Sequence, residues 1–417
     1  MARNHSLTAA LALGTALALP LPAHALEAEP FAEAFKALIG DQDGVLEYES
    51  ATLAGDAVTL SGVTIGPALP ADPATGAGDM TFPLGDLTFE GVTETETGYE
   101  AASLTREGIE GTAEDINEEG DDLAWSIGRL GMEGINVPSA GADDDAAVLA
   151  RSGMFYDRAF VENATISLNG AEYVTLASAQ TTTDADASPV AFAATMTDLV
   201  TNLSVVADEA PELRSWIDGT GYETIAIDYV SEGTWDLASG TLDASANTVT
   251  MEGMGQLDVV MNLGGLTPAF MEALNDASNQ MSSGDERAQQ AAGMQLLGLM
   301  SQLSFGELTL GYRDGGMAGT LLDYYAKVEG TTRDELVQQT VSVLPIALGQ
   351  LGAPELQAQI TEAVTSFLND PKSITVSLKP DAPVPAPVLM GAAATSPAQL
   401  AAALNASVKA NEAGMME

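Results

Sequence analysis

The sequence predicts an α+β protein: a curved, twisted, mostly antiparallel sheet with glycine-marked bends, covered by apolar helices from the C-terminal half. Three observations carry that reading. Alternating apolar and polar residues dominate as far as Leu263. A short motif, a strand followed by Gly and a branched or apolar residue, recurs among them. After Gly265 the spacing turns helical, with capping signals ahead of the apolar runs.

The elements follow in order. In FAEAFKALI, Phe31, Phe35, Leu38 and Ile39 share one helical face, and GDQDG at 40–44 ends that helix. VLEYESATLAG and DAVTLSGVTI read as a hairpin turning at Ala54-Gly55-Asp56. The motif then repeats as LTFEGV at 87–92, LTREGI at 104–109, LGMEGI at 130–135 and VTMEGM at 249–254, with LSGV at 60–63 a shorter form. Glycine inside a strand marks a bulge or bend, so recurrence implies a curved sheet. Ordinary strand–glycine composition in a chain with 41 glycines is the competing reading.

EDINEEGDD at 114–122 and GADDDAA at 141–147 read as acidic loops. Residues 171–180 and 191–206 read as strands split by a polar linker, TTDADAS at 182–188. Pro211 opens a short helix, and residues 222–263 form a meander. Thr267-Pro268 is a cap followed by proline in the first helical position. Residues 285–303 continue the helices, 304–313 revert to a strand, and 321–328 form a short helix. Thr332 and Glu335 form a capping box for a helix to about Leu351, with a kink expected at Pro345. Residues 354–368 form a further helix. SITVSL then reads as a strand, and Pro380, Pro383, Pro385 and Pro387 as a stiff crossover leaving the sheet. Ser396-Pro397 opens one last helix, and ASVKA at 406–410 returns to the sheet.

The first residues carry an export signature. Arg3 precedes the apolar run LTAALALGTALALPLP, and Ala23-His24-Ala25 supplies a small-x-small cleavage site. The expected organisation is a signal peptide at 1–25, a β-rich N-terminal domain at 26–206, and an α+β C-terminal domain at 207–417 packed against it. The expected location is the periplasm or outside the cell, with no transmembrane segment in the mature chain.

Composition narrows the chemistry. There is no cysteine, and both histidines, His5 and His24, precede the cleavage site. That removes Ser-His-Asp triads, cysteine nucleophiles, His-ligated metals and histidine acid–base catalysis. A formal net charge of −46, from 60 acidic and 14 basic residues, repels phosphate backbones, so nucleic acid is excluded as a partner. Adsorption to anionic lipid headgroups is disfavoured on the same ground. The acids are spread along the whole chain, as for a solvated surface.

Candidate motifs fail in detail. Asp41-Gln42-Asp43-Gly44 places its glycine fourth, where a calcium loop needs it sixth, and Asp143-Asp144-Asp145 is too short to define a site. No lysine completes an S-x-x-K. Asp314-Gly315-Gly316-Met317 lacks the lysine of a phosphate cradle. Glycoside chemistry needs two facing carboxylates in an aromatic cleft. Aromatics are 5% of residues, and Trp125, Trp216 and Trp235 read as core residues. Met251, Met254, Met261, Met294 and Met300 fall on expected core faces, although a methionine-rich surface also suits an adaptable apolar ligand. No catalytic, cofactor-binding or metal-binding residue is assigned.

The L-T-x-E-G-[VI] segments and the alternating strands after them resemble the β-rich modules of AsmA-like and YdgA-like envelope proteins. FLNDPKSITVSLKPDAPVP with the later LNASVKAN is similar to a segment of uncharacterised exported bacterial proteins of this size. The AsmA-like resemblance implies a long curved sheet with an apolar groove and a role in envelope lipid handling. The chain departs from that pattern in lacking a retained N-terminal anchor. The expected function is non-enzymatic: binding a lipid-like or apolar ligand, or supporting envelope integrity. A structural or protein-interaction module with an envelope protein partner is the alternative. A carboxylate-based hydrolase is a third.

Overall fold

The computed structural model describes residues 26–40, 44–67, 81–114, 120–139, 141–142, 144–207, 210–282 and 286–412. The export signature, residues 41–43, residues 115–119 of the acidic loop and Asp143 lie outside them.

Helix α1 (Ala28–Gly40) comes first. It is followed by β1 (Gly44–Glu47), β2 (Ser50–Ala54), β3 (Ala57–Pro67), β4 (Phe82–Glu90), β5 (Thr93–Glu94), β6 (Gly98–Ala113) and β7 (Leu123–Pro138). After α2 (Asp145–Arg151) come β8 (Arg158–Leu168), β9 (Ala171–Asp184) and β10 (Val190–Asn202). Helix α3 (Pro211–Thr220) precedes β11 (Thr224–Asp236), β12 (Thr241–Met251) and β13 (Gly255–Gly264). Helices α4 (Pro268–Ser282) and α5 (Glu286–Met300) pack on each other and lead to β14 (Ser304–Asp314). Three helices follow: α6 (Met317–Glu329), α7 (Arg333–Leu348) and α8 (Pro354–Asn369). The chain ends with β15 (Ser373–Leu378), β16 (Val384–Pro385), α9 (Ala386–Thr395), α10 (Pro397–Ala403) and β17 (Ala406–Ala410).

The fold is α+β, with one large, mostly antiparallel sheet that does not close. Pairing runs largely in chain order. Strands β1 and β2 both pair with β3, the sheet continues through β4 and β6 to β15, and β17 pairs with β15. The position 206/207, expected as a domain boundary, lies between β10 and α3. The sheet passes across it, because β10 pairs with β11 from Val190↔Trp235 to Asn202↔Thr224.

The motif glycines share one backbone conformation. Gly62, Gly91, Gly108, Gly134 and Gly253 have φ of 65°, 65°, 64°, 60° and 68°. The repeat is therefore a recurring left-handed residue, which glycine adopts without steric cost. Its settings differ: inside strands at Gly62, Gly108 and Gly134, past the end of β4 at Gly91, and in the β12–β13 turn at Gly253.

Asn163 and Asp198 extend the pattern beyond glycine, with φ of 54° and 51°. With Gly108 they mark a crease across β6 to β10. The rungs 108/128, 163/128, 163/177 and 198/177 drop out, and the register is the same immediately on either side of each. At the crease β10 shifts against β11, so Met196 and Leu199 face Tyr229 and Ile227. Asn and Asp are the non-glycine residues that tolerate this conformation. The Asp198 N–H donates to Asp228 at 2.9 Å.

The main core lies at the N-terminal end. Phe31 and Phe35 of α1 meet Phe89 edge-on at 5.0 and 4.9 Å, above buried Val58, Leu60, Leu104 and Ile135. Aromatic pairs in this geometry add about 0.5–1.5 kcal/mol beyond area burial. A second cluster joins Val148 and Leu149 of α2 to Val190 and Trp235, with Met271 of α4 packed on it.

Several expectations need correction. Residues 144–147 are not loop: Asp144 caps α2 by accepting the Ala147 N–H at 2.8 Å. Thr182, Thr183 and Asp184 belong to β9, paired with β10, and are not linker. The prolines do not wholly leave the sheet, since Val384 and Pro385 pair with Phe305 and Ser304 of β14. Met294 and Met300 are exposed, whereas Met254 is buried. Among the tryptophans Trp235 is buried, while Trp125 and Trp216 are half-buried.

Candidate binding face

Residues directly opposite one another in an antiparallel pair share a face. Following pairs outward from Tyr229 gives Met196, Ala179, Val161 and Leu130 in one direction. In the other it gives Val249, Leu257, Tyr312 and Ile374. A parallel row crosses Val259, Leu310, Val376 and Val408. One face of the sheet is therefore apolar over much of its length, and the crease keeps it so. In β8, Val161 and Ala164 are three residues apart, yet both join this face through the left-handed Asn163 between them.

Helices cover this face at its ends. Helix α1 sits over Phe89, α2 and α4 over Val190 and Trp235, and α8 over Tyr312, which Phe367 meets edge-on at 6.1 Å. Between them the face is open. Ile166, Leu257, Leu310 and Val376 keep 37–39% of their surface exposed. Side chains of that size are worth about 1.5–3 kcal/mol each when fully buried, so an open row of them is a surface that gains from being covered.

Several polar groups on this face are held by partners, although the Trp125 Nε1, opposite Ile166, is buried with no hydrogen-bond partner. The Ser231 hydroxyl donates to Asn247 Oδ1 at 2.5 Å. Asn247 Nδ2 donates to the carbonyls of Ala244 and Val259, both at 3.1 Å, where β12 shifts register against β13. The Tyr312 hydroxyl donates to Asp314 at 2.9 Å. Burial, reinforced by that carboxylate, pushes its phenol well above the usual tyrosine value. The open row can grip alkyl groups and exclude water.

The opposite face is polar and tied by ion pairs. Arg158 meets Glu133 at 3.1 Å, Arg313 meets Asp258 at 3.2 Å, and Lys379 meets Glu307 at 2.9 Å. A depression of about 780 Å³ lies here between β12 and β17, lined by Thr309, Thr375, Ser377, Lys379 and Lys409. Each of its cations already has a carboxylate, Lys409 pairing with Glu412 at 3.0 Å. The acidic segments of the sequence do not converge: among the described residues no three His, Cys, Asp or Glu side chains lie close enough to hold a metal ion. No helix among them is long and apolar enough to cross a membrane.

Sequence reasoning proposed an apolar groove without naming its residues. The signal was present in TIAIDYV, NTVTM and QLDVV, whose alternation sets one apolar side against a polar one. A family model described only as "Uncharacterized protein" matches residues 248–411, less than half of the chain. That span runs from β12 to the residue after β17 and includes Leu257, Leu310 and Val376. No curated protein matches the chain.

Proposed function

We propose that this is an exported, non-enzymatic protein that binds a lipid-like or apolar ligand on the open face of its sheet. The observation that supports the reading is the uncovered row around Leu257, Leu310 and Val376, half-exposed between helices that bury the two ends of the same face. Apolar ligand sites combine such surfaces with a few fixed polar groups, and Ser231, Asn247 and Tyr312 are fixed in this way. The resemblance to AsmA-like and YdgA-like modules points in the same direction. The absence of histidine and cysteine from residue 26 onward leaves little for catalysis.

Lipid extraction and mass spectrometry of protein purified without detergent tests the proposal. A lipid recovered in stoichiometric amount, and lost when Leu310 is changed to Asp, is the expected result. Background lipid alone would sink it. A persistent envelope protein in place of lipid would make the chain an interaction module.

A further inference from the structure

The polar face carries a local reversal of charge. Arg313, Lys379 and Lys409, from the 14 basic residues of a chain with 60 acidic ones, all line the depression between β12 and β17. Asp258 and Glu307 oppose them in its lining, and both carboxylates are already engaged. Asp258 Oδ1 accepts from Thr248 and from Gln256, both at 2.7 Å, and its Oδ2 accepts from Arg313. Glu307 accepts from Thr309 at 3.1 Å and from Lys379 at 2.9 Å. The donors are not used up in this way. Lys379 spends one of the three N–H groups of its ammonium on Glu307, and Lys409 spends one on Glu412. Both lysines stay exposed, whereas the side chains of Asp258 and Glu307 are sunk to 13% and 21% exposure.

Thr375 adds an independent sign of a ligand. It is the most buried residue of the lining, 7% exposed, yet its hydroxyl has no hydrogen-bond partner among the described residues. Polar groups buried to that degree are mostly paired. Thr375 stands directly opposite Lys409 of β17, and Ser377 opposite Ser407. On its other side it stands opposite Gly311 of β14, which has no side chain, so the row from Asp258 through Gly311 to Thr375 is hollow at its centre. Glycine at such a place lets a ligand approach the strand closely. The recess therefore has donors to spare while its acceptors are occupied, and that chemistry recognises an acceptor-rich group. No aromatic side chain among the described residues lines it to stack a sugar ring or a base. A tetrahedral phosphate accepts from several directions at once, as donors from β15, β17 and the residue after β15 require. The net negative charge of the chain repels a polyanion, but a single small oxyanion would lie well within a Debye length of these lysines, about 10 Å at 0.1 M salt. We propose that Thr375, Lys379 and Lys409 bind a phosphate group, free or carried on a small molecule. The site is on the other side of the sheet from the open apolar row and does not depend on a ligand there.

Isothermal titration of inorganic phosphate into the purified protein, in a zwitterionic buffer at about 0.1 M salt, tests the site. Saturable binding of one phosphate per chain is the expected result. Thr375→Val keeps the shape of the side chain and removes the hydroxyl. It should weaken binding about tenfold, while the melting temperature stays at or above that of the parent. The double variant Lys379→Gln, Lys409→Gln should weaken binding at least as much. Lys327→Gln, exposed on α6, removes a positive charge outside the depression and should leave the affinity unchanged. A second titration with glycerol 3-phosphate reads the source. Binding as tight or tighter assigns the group to a phosphate ester such as a lipid headgroup, weaker binding assigns the site to the free ion, and either result supports the proposal. No saturable heat with either compound would overturn it. So would full affinity in Thr375→Val, or a matching loss in Lys327→Gln, which would reduce the effect to net charge. None of these variants touches the open apolar row, so the two proposals fail separately.

Discussion

The guanidinium of Arg158 lies 4.5 Å from the ring centre of Phe160, and that of Arg129 lies 4.7 Å from the same ring. Phe160 is buried on the polar face, against Gly131, where an added Cβ would strike the ring. Glu133 and Glu162 hold the two arginines in turn. An otherwise hydrophilic face is thus closed over an aromatic anchor. Each cation–π contact contributes about 0.5–1 kcal/mol at such sites. Phe160→Leu should therefore cost about 1–2 kcal/mol, read as a lowered denaturation midpoint. In a double-mutant cycle with Arg158→Met the two losses should not add.

Glycines 108 and 134 have nearly the same φ but different neighbours. An added Cβ at Gly108 meets nothing within 4 Å, whereas at Gly134 it would overlap the Asp157 carboxylate. Gly108→Ala should then cost only the backbone term, about 1–2 kcal/mol. Gly134→Ala should cost clearly more, because Asp157 also ties the chain before β8 to the Glu133 carbonyl at 2.9 Å. Equal losses in urea denaturation would mean that Asp157 yields freely.

Capping of α7 carries a pH dependence. The Thr332 N–H donates to Glu335 at 3.0 Å, and the Glu335 N–H donates to the Thr332 hydroxyl at 3.3 Å. The Thr332 backbone bond, helped by the hydroxyls of Thr331 and Thr332, holds the Glu335 carboxyl below its ordinary 4.5. A depressed folded value means that this stabilisation is fully present above pH 4.5 and fades as pH falls through the folded value. Glu335→Gln should be less stable than the parent at neutral pH, and the gap should shrink steadily in denaturation curves taken below pH 4.5. A constant gap would place the effect in packing, not in ionisation.

On the open face, Leu257→Asp and Leu310→Asp put a charge where the proposed ligand would lie. Both side chains are more than a third exposed, so folding should tolerate the change. Retention of an apolar ligand should fall by about tenfold or more, since an unpaired carboxylate resists burial. Titration with a fluorescent fatty acid reads this directly. Unchanged affinity would move the ligand elsewhere.

These features were unequally legible in the sequence. Caps were plain because their chemistry is local: Thr332 with Glu335, and Thr267, whose hydroxyl accepts the Phe270 N–H at 3.2 Å. Strand β8 was hidden. Its sequence, RAFVENATISL, loses alternation at Asn163, where the left-handed residue turns the chain over. Helix α9 was hidden for the opposite reason, because a segment apolar on all sides has no period to detect. The open stretch of the sheet depends on where the covering helices land. That is set by long-range packing such as Phe367 on Tyr312, which no local pattern encodes.

The C-terminal strand makes the last test. After the prolines the chain passes through α9 and α10 and returns as β17, paired with β15 from Ile374↔Ala410 to Leu378↔Ala406. Asn411, at φ 58°, then clasps the end of α8: its Nδ2 reaches the Ser366 carbonyl at 3.1 Å and the Asp370 carbonyl at 2.9 Å, while its N–H donates to Ser373 at 2.9 Å. The segment therefore covers the edge of β15 and fixes the helix that closes one end of the apolar face. Deleting residues 388–411 should lower the melting temperature of the whole protein and expose the β15 edge to aggregation. Asn411→Ala removes the clasp and should cost about 1–2 kcal/mol, from the lost side-chain hydrogen bonds and an alanine held at positive φ, because the Asp370 carbonyl is exposed and the Ser366 carbonyl keeps the Asp370 N–H. A truncated protein that melts like the parent would reduce this last strand to a tail.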